Sequence, residues 1–326
     1  MNIIFHIGMG KTGTSSIQRA LQTGTEQLTE HNAQYLGMWF DIVAPRFRGH
    51  EGLDTFCKSS AETQESAATT FLSTLAGMER SSGANTFILS NEGLFGEGEA
   101  LRPFLEALRQ KADVKLVAYM RNAREWLPSA YAQWGVRHKT YPGPIQPFRD
   151  RAKLLIGQYN GIRAWHQHFS DILVVRTHTK SIDVVADFSE VIGIPLGTGV
   201  RHLERSEPAE MVLQAMFNNR FEKPVLPDRF RRNIVGAGRQ IKSVDEMAKL
   251  CFDHEGIDEL VSDRAGLFDF VRENIGIDLA SGEDPEARTI DRDALRDRIL
   301  DYLIEITFLQ AQRIQKLENE LDISKV

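Results

Sequence analysis

The chain of 326 residues carries a formal net charge of −6 and is 42% hydrophobic and 26% charged, a balance that places it among globular proteins and suits one large α/β domain with an appendage, or two domains. The acidic balance argues against a general nucleic-acid binder, although a local basic cleft would survive the average. Two distant cysteines, Cys57 and Cys251, give neither a disulfide framework nor a zinc spacing, and there is no signal-peptide pattern or bilayer-spanning apolar run, so a reducing, cytoplasmic setting is expected.

Ile3-Ile4-Phe5 opens the chain as a short buried strand, and Ile17-Gln18-Arg19-Ala20-Leu21 places Ile17 and Leu21 on one helical face. Between them lies His6-Ile7-Gly8-Met9-Gly10-Lys11-Thr12-Gly13-Thr14-Ser15-Ser16. A strand, a glycine-rich turn and a helix start together make an anion site. Glycines admit close backbone approach, the first helical N–H groups have no partner, and the helix dipole favours negative charge. Lys11 adds a point charge, and Thr12, Thr14, Ser15 and Ser16 add hydroxyl donors, so the stretch reads as a phosphate cradle. The bland alternative is a glycine-rich turn without a ligand. The nucleotide triphosphatase pattern G-x-x-x-x-G-K-[ST] matches at Gly10-Lys11-Thr12 but needs its first glycine where Phe5 stands.

The loop instead resembles the phosphosulfate-binding loop of sulfotransferases. Their core, P-K-[ST]-G-T-[ST], reads here Gly10-Lys11-Thr12-Gly13-Thr14-Ser15. Gly10 stands where that family often has proline, a change that removes no phosphate donor.

Gln34 to Trp39 reads as a second strand, and residues 40–60, with Pro45, Gly49 and Gly52, read as a loop over the site. His50 in that loop is a candidate for substrate contact or base, against the plainer reading of a solvated histidine. A helix is expected over 61–80, with Phe71, Leu72 and Leu75 inward. Thr86 to Ser90 is a strand that runs into Asn91-Glu92. Ligands of open parallel sheets bind beyond the carboxyl ends of strands, which places Glu92 where a catalytic carboxylate belongs. Its alternative is a cap or salt bridge to a neighbouring loop.

A helix over 97–110 leads to a buried strand, Val114 to Met120, ending at Arg121 and followed by a helix with Trp126, Pro128, Ser129 and Tyr131. Two helical turns bring a serine hydroxyl back toward a strand-end guanidinium, and both groups suit one phosphate. The 3′-phosphate site of sulfotransferases has this arginine and a serine eight residues on, the spacing of Arg121 and Ser129. The chain thus resembles, over residues 1 to about 195, the sulfotransferases that use 3′-phosphoadenosine 5′-phosphosulfate (PAPS). The resemblance implies that Gly10, Lys11, Thr12, Gly13, Thr14, Ser15 and Ser16 hold the 5′-phosphosulfate and that Arg121 and Ser129 hold the 3′-phosphate. It also implies Glu92 as general base. Trp126 and Tyr131 could flank the cleft, but aromatics at helical spacing are more often core.

Residues 148–169 form a long amphipathic segment with Leu154, Leu155, Tyr159, Ile162, Trp165 and Phe169 at helical steps. A strand over 171–176 and a helix over 182–192 follow, with Arg176 at the strand end and His178 read as solvated. Beyond residue 200 the resemblance fades. Arg201, Arg205, Arg229, Arg231, Arg232, Arg239 and Lys242 make this part basic; Arg231-Arg232-Asn233 or Gly236-Ala237-Gly238-Arg239 could close over the 3′-phosphate or meet an anionic acceptor, against the plainer and preferred reading of a solvated charged surface. From Asp291 one helix is expected, its seam Ile299, Leu303, Ile306, Gln310, Ile314, Leu317 and Leu321 able to pair two subunits or to pack back on the domain.

The expected fold is an α/β sandwich around a short central parallel sheet, like a P-loop kinase core, over residues 1–200, with a mainly helical portion over 201–326. The expected function is sulfuryl transfer from PAPS, leaving PAP, to a hydroxyl or amine of a small-molecule or glycan acceptor. No metal is required, and no ligand cluster argues for one. The rivals are an ATP-dependent phosphotransferase and a non-catalytic nucleotide-binding scaffold.

Overall fold

The computed structural model describes residues 1–179, 181–197, 208–226, 243–281 and 291–320. Its strands are β1 (Asn2–His6), β2 (Ala33–Gly37), β3 (Thr86–Ser90), β4 (Asp113–Arg121) and β5 (Leu173–His178). The helices up to β4 are α1 (Thr14–Thr23), α2 (Thr25–Glu30), α3 (Gly49–Cys57), α4 (Ala61–Ser82) and α5 (Arg102–Arg109). After β4 come α6 (Ala123–Ala130), α7 (Phe148–Leu155), α8 (Gly161–Phe169), α9 (Val184–Ile192) and α10 (Pro208–Asn218). The last four are α11 (Val244–Phe252), α12 (Ile257–Ser262), α13 (Ala265–Ile275) and α14 (Arg292–Glu320).

Two compact units are present. One comprises the described residues of Met1–Trp126, Ile156–Leu203 and Asp258–Gly282; the other comprises those of Leu127–Leu155, Glu204–Ile257 and Glu283–Val326. Leu127–Leu155 thus groups with C-terminal segments, and Asp258–Gly282 with the sheet.

The first unit holds one five-stranded sheet in the order β2-β3-β1-β4-β5, parallel throughout. Side chains alternate across β1, so its apolar residues serve two cores. Ile4 packs with Ile17 and Leu21 of α1 and with Val184, Val185 and Phe188 of α9. Phe5 points the other way, stacked on Phe71 of α4 at 6.2 Å and edge-on to Phe104 of α5 at 6.4 Å. The chain leaves β1 toward β2 on one side, and β4 is followed by β5 on the other. The carboxyl end of β1 therefore lies at the topological switch, where an open parallel sheet leaves a crevice.

In the second unit, Tyr131 is core, its hydroxyl donating to the carbonyls of Gln146 and Leu250, each at 2.7 Å. Lys139 is buried there, its Nζ donating to the carbonyls of Gly143 and Phe221. On α14, Leu295 and Ile299 are buried, whereas Leu303, Ile314 and Leu317 of the expected seam are exposed. No described helix is long and apolar enough to cross a membrane.

Several expectations need correction. Residues 40–60 are not an open loop: short 3-10 turns at Phe40–Ile42 and Pro45–Phe47 lead into α3. The reason is aromatic packing, because Phe40, Phe47 and Phe56 are buried, with Phe40 and Phe56 stacked at 4.4 Å. The amphipathic segment over 148–169 is two helices, α7 and α8, separated by a 3-10 turn at Ile156–Asn160, and Leu154 is exposed. β5 ends two residues later than expected, so His178 rather than Arg176 closes the strand, opposite Arg121. The basic residues between 201 and 242 named above lie outside the described residues, as does Leu321.

Gly13 caps α1 with φ +87°, and a Cβ there would lie 2.7 Å from Cγ1 of Val184. Both the left-handed backbone and the packing demand glycine. Gly13→Ala is expected to lose about 1–3 kcal/mol of stability, read as a lower urea midpoint with an unchanged m-value.

Candidate active site

The candidate site forms where β1 gives way to α1. Ile7 N–H donates to Val117 O (2.8 Å) and Met9 N–H to Tyr119 O (3.1 Å), so the chain stays laddered to β4 through Met9. Only residues 10–13 remain to turn into the helix. This is the physical reason that Phe5 need not be glycine: the turn begins after the strand has run past it.

The short loop is pinned from both sides. Thr12 is fully buried, and its hydroxyl donates to Met9 O at 2.5 Å. Trp126, buried in α6, donates from Nε1 to Gly10 O at 2.8 Å. Lys11, half-buried, takes φ +66°, an uncommon conformation for a side-chain-bearing residue. At the N-terminus of α1 no side chain caps the helix. Thr14 Oγ1 is buried there without a hydrogen-bond partner among the described residues. An uncapped helix start and an orphaned buried hydroxyl together fit an anionic ligand. Ser15 is exposed and Ser16 half-buried, its N–H donating to Gly13 O at 2.9 Å.

His6 forms the floor of the loop. Its Nδ1 and Ser90 Oγ share a hydrogen bond of 2.7 Å, joining the ends of the paired strands β1 and β3. Its Nε2 lies 2.9 Å from where a Cβ of Gly8 would stand, so only glycine passes over the ring. Burial pushes the imidazole pKa down to about 3. The ring is therefore neutral in the folded state and titrates near 6.5 when unfolded, so the stability linked to it is present above pH 6.5 and falls as pH drops from there toward 3. Between pH 7.5 and pH 5 the protein is expected to lose about 2 kcal/mol by this route. Urea denaturation at the two pH values checks it: His6→Asn, which cannot titrate, should lack that part of the slope whatever its absolute stability.

At the end of β3, Glu92 opens a 3-10 turn and is half-buried. Gln18 of α1 donates from Nε2 to Ser90 O (3.0 Å) and to Glu92 Oε2 (3.2 Å). Asn91 is held on the other side, donating to Met38 O (2.8 Å) and accepting from Gly93 N–H (2.9 Å). Tyr35 of β2 lies near enough that its pKa is pushed up to about 12, by burial first and then by the negative charge of Glu92. The cradle and the carboxylate thus stand at the ends of adjacent strands, linked through one helix.

Arg121 is buried at the end of β4. Its Nε and Nη2 donate to Glu125 Oε2 at 3.1 and 2.8 Å, one turn into α6. Its carbonyl accepts from the Tyr159 hydroxyl at 2.5 Å, which fixes the strand end. Ser129 follows Glu125 by one further turn of α6 and is half-buried. His50 is exposed on α3, its ring edge-on to Trp39 at 5.1 Å. In the described structure its partner is that aromatic side chain, not the cradle.

Three residues of the site escape a reading by motif. His6 is a polar residue in an apolar strand, a visible irregularity whose meaning needs Ser90 beside it. Gln18 stands one turn after Thr14, a spacing that puts both on one helix face. Trp126 reads as core, and it is core, but its indole N–H also anchors the loop.

The solved structures similar to the chain include three sulfotransferases. The sulfotransferase from Alicyclobacillus acidocaldarius is 15% identical with a TM-score of 0.39, over 65% of this chain and 90% of that one. The sulfotransferase domain from the Synechococcus PCC 7002 olefin synthase is 12% identical, TM-score 0.35, over 76% and 94%. The sulfotransferase domain from the curacin biosynthetic pathway is 11% identical, TM-score 0.36, over 81% and 97%. No family model and no curated protein matches the chain.

Proposed function

We propose that the chain is a sulfotransferase that moves a sulfuryl group from PAPS to a hydroxyl or amine of an acceptor. The observation that carries the reading is the uncapped start of α1, with the orphaned Thr14 hydroxyl inside it, one strand away from a carboxylate held in place. PAPS would supply the sulfuryl group on a phosphate leaving group. The backbone of residues 10–16, with Lys11 and the Thr14 and Ser15 hydroxyls, holds the 5′ end by charge and hydrogen bonding. Lys11 and the helix N-terminus stabilise negative charge growing on the leaving oxygen. Glu92 takes the proton of the acceptor, and the half-buried Tyr35 stands on β2, paired with the strand that leads to Glu92, with half-buried Trp39 just beyond it in the chain. Arg121 holds the 3′-phosphate, the role that the resemblance also gives to Ser129. The donors that Arg121 gives to Glu125 leave others on the guanidinium, since it carries five N–H groups. A carbohydrate acceptor is favoured, because a glutamate base and half-exposed aromatics suit a polyol.

The test is a thermal-shift titration with PAP, with ATP–Mg²⁺ as control, on the parent and on Arg121→Ala. A ligand bound by the folded state alone adds about 2.7 kcal/mol at a hundredfold excess over its Kd. Stabilisation by PAP that is lost in Arg121→Ala is the expected result, followed by transfer from labelled PAPS to a panel of glycans, phenols and amines. Stabilisation by ATP–Mg²⁺ and not by PAP would overturn the proposal in favour of phosphoryl transfer.

A further inference from the structure

We infer that Gln18 is a positioning residue for the carboxylate of Glu92, an inference that rests on the sulfuryl-transfer reading. Gln18 Nε2 lies 3.0 Å from Ser90 O and 3.2 Å from Glu92 Oε2. A carbonyl and a carboxylate are both acceptors, so the amide serves them only with its NH₂ group turned inward, and the two bonds use both its protons. The side chain has one orientation, and so has the oxygen it holds.

The backbone around Glu92 is fixed independently. Asn91 is tied to Met38 and to Gly93, and Ser90 pairs with His6. Gln18 adds a hold on the carboxylate itself. A neutral amide orients a base without cancelling its charge, whereas a lysine or arginine in the same place would favour the ionised form and weaken it as a base. Gln18 also stands on the helix whose first turn forms the phosphate cradle. One rigid element, α1, therefore sets the distance between the donor's phosphates and the base, and a reaction in line between them needs that distance held.

The experiment compares the parent with Gln18→Glu, with Gln18→Leu, and with the exchanged pair Gln18→Glu plus Glu92→Gln. Gln18→Glu sets two carboxylates where a hydrogen bond stood, and carboxylates at that range resist joint ionisation. Its melting temperature should fall a few degrees below the parent at pH 8, and the gap should narrow at pH 5.5, where the pair retains a proton. The exchanged pair restores a donor facing an acceptor between positions 18 and 92 and should recover the part of the gap that the like charges cause, while the bond to Ser90 O stays lost. A purely space-filling role predicts instead that the isosteric Gln18→Glu shows the same small deficit at both pH values. Gln18→Leu should keep the stabilisation by PAP and the KM for PAPS while kcat falls about 10- to 100-fold.

A deficit in Gln18→Glu that does not change with pH, an exchanged pair no more stable than Gln18→Glu, or an undiminished kcat in Gln18→Leu overturns the assignment. If PAP does not stabilise the parent, the sulfuryl-transfer reading fails on its own, and the melting-temperature comparisons still decide whether Gln18 holds Glu92.

Discussion

Lys11→Ala is expected to fold normally and to turn over about 100- to 1,000-fold more slowly, the loss that follows removal of one preorganised donor from a developing negative charge. The residue stands at φ +66°, beside the uncapped start of α1. A side chain in the left-handed region costs about 1–2 kcal/mol relative to the ordinary helical backbone. Glycine would take the same conformation without that penalty, so a lysine at this position costs stability. This separates two variants. Lys11→Ala keeps the strain and loses the charge; Lys11→Gly loses both. Turnover should fall by a similar factor in each, while Lys11→Gly alone should unfold at a higher urea concentration than the parent. Steady-state transfer from labelled PAPS and urea denaturation, run on the same preparations, check the pair. Near-normal turnover in Lys11→Ala would remove Lys11 from the chemistry.

Glu92→Gln should lower kcat about 100- to 10,000-fold, the range for loss of a positioned general base. The substitution keeps the length of the side chain, and its carbonyl oxygen can still accept from Gln18, so the geometry of the strand end is preserved and the basicity is not. Stabilisation by PAP should be unchanged, because the carboxylate lies at the end of β3 and not in the cradle. Pre-steady-state transfer and thermal shift together read this: low kcat with intact PAP binding fits a base, whereas weakened PAP binding with normal kcat would assign Glu92 to the donor site. His50→Ala is the natural comparison. Its ring is exposed and set against Trp39, and an effect confined to the acceptor KM would mark it as an acceptor contact.

The turn into α1 was legible in the sequence because its geometry is local. Gly10, Lys11, Gly13 and the hydroxyls that follow are consecutive, and a glycine-rich turn between a β-branched strand and an apolar-periodic helix has few other backbone solutions. The parallel α/β class, the strands and the C-terminal helix were legible for the same reason, since hydrophobic period reports local structure directly. Residues 40–60 misled because Pro45, Gly49 and Gly52 interrupt the apolar period there. Their order comes from Phe40, Phe47 and Phe56 meeting one another and Phe104, contacts that no local pattern encodes. The segment over 148–169 misled in the opposite sense: its period runs on through Ile156–Asn160, where the backbone tightens into a 3-10 turn.

Sequence by itself therefore determined the glycine-rich turn between β1 and α1, the strand-end placement of Glu92 and Arg121, and the fold class, each written into neighbouring residues. Tertiary structure alone decided what holds them. His6 meets Ser90 and Gln18 meets Glu92 across more than seventy residues of chain, and Trp126 meets Gly10 across 116. Such hydrogen bonds form because a parallel sheet sets the carboxyl ends of distant strands side by side, and the pairing of polar groups there depends on strand order and register, which single-residue preferences do not carry.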